Sequence, residues 1–174
     1  MLFKNYRYIK FKKYPNKIKN ITVVDALYND EIFKVLSEEN LINLERLEIS
    51  CIRGNIDIIK NMTSLKELYL EWNYQPDDVT NLSILSNFIN LEKLSLRDGK
   101  ITDIEFIKDL KKLKVLSLIK TSIRTKDTLD MDYDLKKYHL ILEEPLYITP
   151  ISYCTNLTEL KLLSLNIKYI EPIN

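Results

Sequence analysis

The chain has 174 residues, with 26 Lys and Arg balanced by 25 Asp and Glu. That length buries a substantial core as a single domain, and the charge balance removes any bulk attraction to nucleic acid or an anionic membrane. No apolar run approaches the ~18 residues that a membrane span requires.

The opening stretch, MLFKNYRYIKFKKYP, lacks the apolar run and small-residue cleavage site of a secretory signal. Two cysteines, Cys51 and Cys154, make neither a disulfide framework nor a zinc site, so a cytoplasmic location is expected. Residues 1–20 hold seven Lys or Arg and no acid, interleaved with Tyr6, Tyr8, Phe11 and Tyr14. A stack of repeated coils needs a polar-faced cover over its first coil. Residues 1–15 are expected to supply that cap, with Phe3, Tyr6 and Tyr8 over the core. The alternative is nucleic-acid or membrane-surface binding through basic residues 4–19.

An eight-residue pattern begins at residue 16 and recurs. NKIKNITV (16–23) is followed by INLERLEI (42–49), TSLKELYL (63–70), INLEKLSL (89–96), KKLKVLSL (111–118), YDLKKYHL (133–140) and TNLTELKL (155–162). Each copy reads apolar, two variable, apolar, one variable, apolar. The leading apolar residues Ile18, Leu44, Leu65, Leu91, Leu113, Leu135 and Leu157 are 26, 21, 26, 22, 22 and 22 positions apart. The end of each octet alternates with strand period, so Leu47 and Ile49, Leu68 and Leu70, and Leu94 and Leu96 point into one core. Between octets, Ile101, Ile104, Ile107 and Leu110 step by three towards Leu113, and Ile148, Ile151 and Cys154 step by three towards Leu157. Steps of three suit a 3₁₀-like return limb. The two 26-residue coils have room for a helix each: NDEIFKVLSEE (29–39) with Asn29 as N-cap, and TNLSILSNFI (80–89) with Thr80 or Asn81 as N-cap.

This pattern resembles the leucine-rich repeat family, in its 22-residue internalin-like class. LEKLSLRDGKITDIEFIKDL (91–110) and LTELKLLSLNIKYIEPI (157–173) carry the match, within a resemblance that covers residues 16–173. It implies a right-handed α/β solenoid of about seven coils over residues 16–174. The concave sheet would be parallel, and the convex side a mixture of 3₁₀ segments and short helices. The chain departs from the family at its turn asparagine, where the column reads Ala26, Ile52, Asn73, Gly99, Thr121, Glu143 and Leu165.

The resemblance also implies that variable residues on the concave sheet bind a protein partner. The expected site comprises Glu48, Tyr69, Ser95, Ser117, His139 and Lys161 in one outward column, Glu71, Arg97, Ile119, Ile141 and Leu163 in the next, and Trp72 beyond it. Its first half reads as acidic and aromatic, the composition of an interface hot spot. Its second half reads as an apolar ladder, and contiguous exposed apolar residues mark interaction sites. Trp72 has a competing role as filler over the turn EWNYQPDD.

Catalytic chemistry is missing from the sequence. His139 is the only histidine, with no Ser or Cys nucleophile in the adjacent outward positions. DTLDMDYD (127–134) suggests calcium, but an EF-hand loop counted from Asp132 places Lys137 where its glycine is required. No phosphate-loop, dinucleotide, zinc-protease or hydrolase motif occurs. The chain is therefore expected to be a non-catalytic protein-recognition module without metal or cofactor. A regulatory adaptor, such as a ubiquitin-ligase substrate recruiter docking through the N-terminal segment, is the alternative. After the last octet, LNIKYIEPIN supplies nothing to cover the final coil. The strand around Leu160–Leu162 is accordingly expected to leave an open edge that pairs with a second copy or a partner.

Overall fold

In the computed structural model, described for residues 2–3, 17–23, 36, 41–52, 56–72, 82–99, 101, 103–119, 146–163, 165 and 167–169, the octets stack as parallel strands. The strands are β1 Leu2–Phe3, β2 Asn20–Val23, β3 Arg46–Ile52, β4 Glu67–Trp72, β5 Lys93–Arg97, β6 Val115–Ile119, β7 Leu146–Tyr147, β8 Glu159–Leu163 and β9 Ile167–Tyr169. One seven-stranded sheet runs β1-β2-β3-β4-β5-β6-β8, and β7 pairs with β9 in a separate two-stranded sheet. Every pairing is parallel. Parallel neighbours need a crossover connection, which here is the return limb of each coil.

The alternation read from the octets is realised as two inward columns. Leu47, Leu68, Leu94, Leu116 and Leu160 stand in register, as do Ile49, Leu70, Leu96, Leu118 and Leu162. One carbonyl anchors each strand to the next: Lys19 O accepts from the N–H groups of Glu45 and Arg46, and Glu45 O from Lys66 and Glu67. Lys66 O then takes Glu92 and Lys93, Glu92 O takes Lys114 and Val115, and Lys114 O takes Thr158 and Glu159.

The return limbs follow the three-residue step. N–H groups bond to carbonyls three residues back along Ile56-Ile59-Met62-Leu65, Leu82-Leu85-Phe88-Leu91, Ile104-Ile107-Leu110-Leu113 and Ile148-Ile151-Cys154-Leu157, at 2.9–3.1 Å. In 3₁₀ geometry side chains three apart eclipse one another, so each limb turns one apolar row onto the strands. The helix expected over 80–89 is instead a 3₁₀ segment at Ser83–Asn87, with no side-chain cap at Leu82. Apolar residues at 82, 85, 88 and 91 have period three, which a 3.6-residue helix would spread around its surface. Of 29–39, only Leu36 is described; it is helical and buried.

The order of strands differs from the expected one at a single place. β6 pairs directly with β8, Ser117 beside Lys161 and Ile119 beside Leu163. The octet at 133–140 therefore does not separate them, although it sits 22 residues from its neighbours on both sides. Its own residues lie outside those described. β7, ahead of the return limb that leads to β8, pairs with β9, which follows β8.

A β-bulge marks the end of β3. Two residues, Ser50 and Cys51, oppose only Glu71 between the Ile49–Leu70 and Ile52–Trp72 pairs. Cys51 takes a left-handed conformation there, φ 59°, and the extra residue returns Ile52 to the inward face opposite Trp72. Cys51 and Cys154 are both thiols. Cys154 is buried, its Sγ 3.5 Å from Ile107 O, and burial pushes its thiol pKa up.

Candidate functional site

The outward-facing residues of the sheet form three registered columns. The first is Arg46, Glu67, Lys93, Val115 and Glu159; the second Glu48, Tyr69, Ser95, Ser117 and Lys161; the third Glu71, Arg97, Ile119 and Leu163. The second and third bring together most of the expected site. His139 and Ile141 lie outside the described residues. The places assigned to them, between Ser117 and Lys161 and between Ile119 and Leu163, do not exist in the sheet.

Trp72 is not on this face. Its side chain is 4% exposed and belongs to the core, because β4 keeps strict alternation from Leu68 through Leu70 to residue 72. The indole lies against Gly99, where an added Cβ would stand 2.9 Å from Cε3. Ile52, paired with Trp72 across the strands, and Gly99, against its ring, both stand in the column read for the turn asparagine. The indole Nε1 is buried without a hydrogen-bond partner among the described residues, a cost that ring burial has to outweigh.

Arg46 organises the centre of the face. Its guanidinium bonds Glu67 through Nη1 and Glu48 through Nη2, both at 2.7 Å. It also lies 4.3 Å from the centre of the Tyr69 ring, a cation–π stack. The Tyr69 hydroxyl donates to Glu67 Oε2 at 3.1 Å, and Lys93 Nζ approaches Glu67 Oε1 at 3.1 Å. Burial works to raise the Glu67 pKa, yet the bonds from Arg46, Lys93 and Tyr69 together hold its carboxyl below the ordinary value. The first half of the face is thus charge-balanced rather than acidic, since Glu71 also meets Arg97, at 3.9 Å.

A second set of charges runs along the entry side of the strands. Glu45 sits between Lys19 at 2.5 Å and Lys66 at 3.0 Å, and Glu92 pairs with Lys114 at 2.7 Å. Hydrogen bonds from Lys19 and then Lys66 lower the Glu45 pKa, and Lys114 lowers that of Glu92. Exposed pairs of this kind add little stability singly, but their alternating sign opposes a slip of one coil past another.

Chemically, the face offers a fixed aromatic ring, paired charges, a floor of small side chains at Ser95 and Ser117, and the apolar groups Val115, Ile119 and Leu163. Among the described residues no cluster of three His, Cys, Asp or Glu could hold a metal ion. None of their helices is long and apolar enough to cross a membrane. Reading the octets by their two closing apolar residues missed Arg46, Glu67 and Lys93. They lie two positions before Glu48, Tyr69 and Ser95, and strand alternation alone puts them on the same face.

The chain is similar to the solved structure of a leucine-rich-repeat protein from Leptospira interrogans, at 20% identity and a TM-score of 0.56, over 94% of this chain and 35% of that one. It is also similar to an internalin from Listeria monocytogenes, at 18% identity and a TM-score of 0.43, over 84% of this chain and 48% of that one. The chain therefore spans about a third of the Leptospira protein. The first likeness, joined to the parallel sheet and its 3₁₀ return limbs, shows the leucine-rich-repeat solenoid fold. No family model matches the chain, and neither does any curated protein.

Proposed function

We propose that this leucine-rich-repeat solenoid is a protein-recognition module whose concave sheet is the docking face and which performs no catalysis. The observation that supports the reading most is the Tyr69 ring, held in the middle of the face by Arg46 stacking and by its hydroxyl bond to Glu67. An aromatic side chain already held in place loses little conformational entropy on docking, and Tyr and Arg are enriched at interface hot spots. The small floor at Ser95 and Ser117 leaves room beside that ring for a partner side chain. Ile119 and Leu163 then supply apolar contact at the far side.

The test compares capture by the intact chain with capture by matched variants. Tyr69→Ala and Arg97→Ala alter the concave face; Ser152→Ala and Asn156→Ala alter exposed return-limb positions. A partner lost with the first pair and kept with the second supports the concave site. Binding that ignores both pairs but disappears with Lys12→Glu and Lys13→Glu would transfer the function to the basic N-terminal segment. We assign that segment to capping, consistent with β1 lying beside β2 at the start of the sheet.

A further inference from the structure

The end of the sheet formed by β8 breaks the pattern of β2 to β6. Its inward column is 0–1% exposed at Ile21, Leu47, Leu68, Leu94 and Leu116, whereas Leu160 in the same column is 37% exposed. Leu163 is 45% exposed, and Leu162 is only partly buried against the core. Among the described residues β8 has a sheet neighbour on one side only. The Glu159 N–H donates to Lys114 O at 3.0 Å, towards β6. By the two-residue alternation of a strand, the peptide groups of Leu160 and Leu162 point the other way, along the open edge.

We propose that β8 pairs antiparallel with β8 of a second copy of this chain, across a two-fold axis at Leu160. Such an axis, perpendicular to the sheet, keeps the concave face of both copies on one side. Side-chain parity then allows only registers centred on a residue, because a half-step would set core positions opposite exposed ones. Centring on Lys161 would face that lysine with its own copy. Centring on Leu162 would leave Lys161 opposite Leu163. Centring on Leu160 places Glu159 opposite Lys161 of the other copy twice over, and Leu160 against Leu160 on the core side. It also makes the Leu160 pair a hydrogen-bonded pair and each Glu159–Lys161 pair a non-hydrogen-bonded one, where side chains approach more closely. Charge complementarity in this register favours a second copy over other possible occupants of the edge.

Lys161 and Leu163 of β8 also belong to the concave face, but self-association is measured with no partner present and the Tyr69 variants leave β8 unaltered, so failure of the dimer and failure of the recognition reading are distinguishable. The test is sedimentation equilibrium of the full chain and of two charge variants whose side chains are exposed in the monomer. The unaltered chain is expected to dimerise reversibly. Glu159→Lys opposes lysine to lysine and Lys161→Glu opposes glutamate to glutamate, so each alone weakens dimerisation about tenfold or more. Mixed together, the two variants form a heterodimer in which every charge is matched, with affinity near that of the unaltered chain. The double variant Glu159→Lys/Lys161→Glu recovers self-association. Circular dichroism of each variant confirms that the fold is unchanged. A chain that stays monomeric to about 1 mM overturns the proposal. So does a dimer indifferent to Glu159→Lys, since the register centred on Lys161 leaves residue 159 facing Leu163.

Discussion

Replacing Gly99 by alanine would press a methyl group into the face of the Trp72 indole. The new Cβ would stand 2.9 Å from Cε3 and 3.2 Å from Cδ2 and Cζ3, whereas carbon atoms at rest lie about 3.5–4.0 Å apart. The ring must therefore retreat by at least about half an ångström. It is 4% exposed and has the fully buried Ile52 as its partner on the neighbouring strand, so retreat means repacking the core. Overpacking of this kind costs ~1–3 kcal/mol. Alanine restricts the unfolded chain and returns ~0.4–1 kcal/mol, which leaves a net loss of up to about 2.6 kcal/mol, or up to about 10 °C in Tm for a chain of this size. Urea unfolding followed by tryptophan fluorescence measures it directly, because Trp72 is the only tryptophan. In a Trp72→Leu background, read by circular dichroism, the same Gly99→Ala change should cost nothing or stabilise slightly, a coupling that a double-mutant cycle isolates. An equal effect of Gly99→Ala in both backgrounds would refute the contact.

Trp72→Phe removes an N–H that has no partner among the described residues, a cost of ~1–3 kcal/mol, while giving up part of the ring; stability should stay near that of the unaltered chain, against a loss of ~3–5 kcal/mol for Trp72→Ala. A large loss on Trp72→Phe would mean that the indole nitrogen is bonded. Leu94→Ala should lower stability by ~2–5 kcal/mol through a core cavity, whereas Tyr69→Ala should weaken partner binding by ~1–3 kcal/mol with a smaller effect on unfolding; equal effects on unfolding would make Tyr69 a structural residue. Because the Glu67 pKa is depressed in the folded state, its stabilisation is full above the unfolded value of about 4.3 and is lost as pH falls through the folded pKa. Glu67→Gln should accordingly lower stability at neutral pH and flatten the decline below about pH 4.3, and an unchanged acid profile would count against the Arg46–Glu67–Lys93 network.

Where the interactions are local in the chain, the sequence alone was sufficient. Apolar residues two apart in an octet face one core as a strand, and the three-residue steps before Leu113 and Leu157 read as 3₁₀ limbs, whereas the same spacing over 80–89 read as a helix; the parallel stacking came from the family resemblance. The same parity placed Arg46 and Glu67 on the concave face and Trp72 inside it, although the sequence reading missed the first two and set Trp72 outside. What the sequence could not determine was adjacency. The octet at 133–140 has the apolar pattern of a ladder strand, but a pattern states only that a segment can pair, not with which neighbour. The carbonyl of Lys114 is bonded to Thr158 and Glu159, and that non-local bond makes β8 the neighbour of β6. The charge balance of the face was likewise tertiary: Arg46 meets Glu67 across 21 positions, and Glu67 meets Lys93 in the next coil. Only stacking of the coils brings those charges within bonding distance, which makes the half of the face that read as acidic a charge-balanced, braced surface around Tyr69.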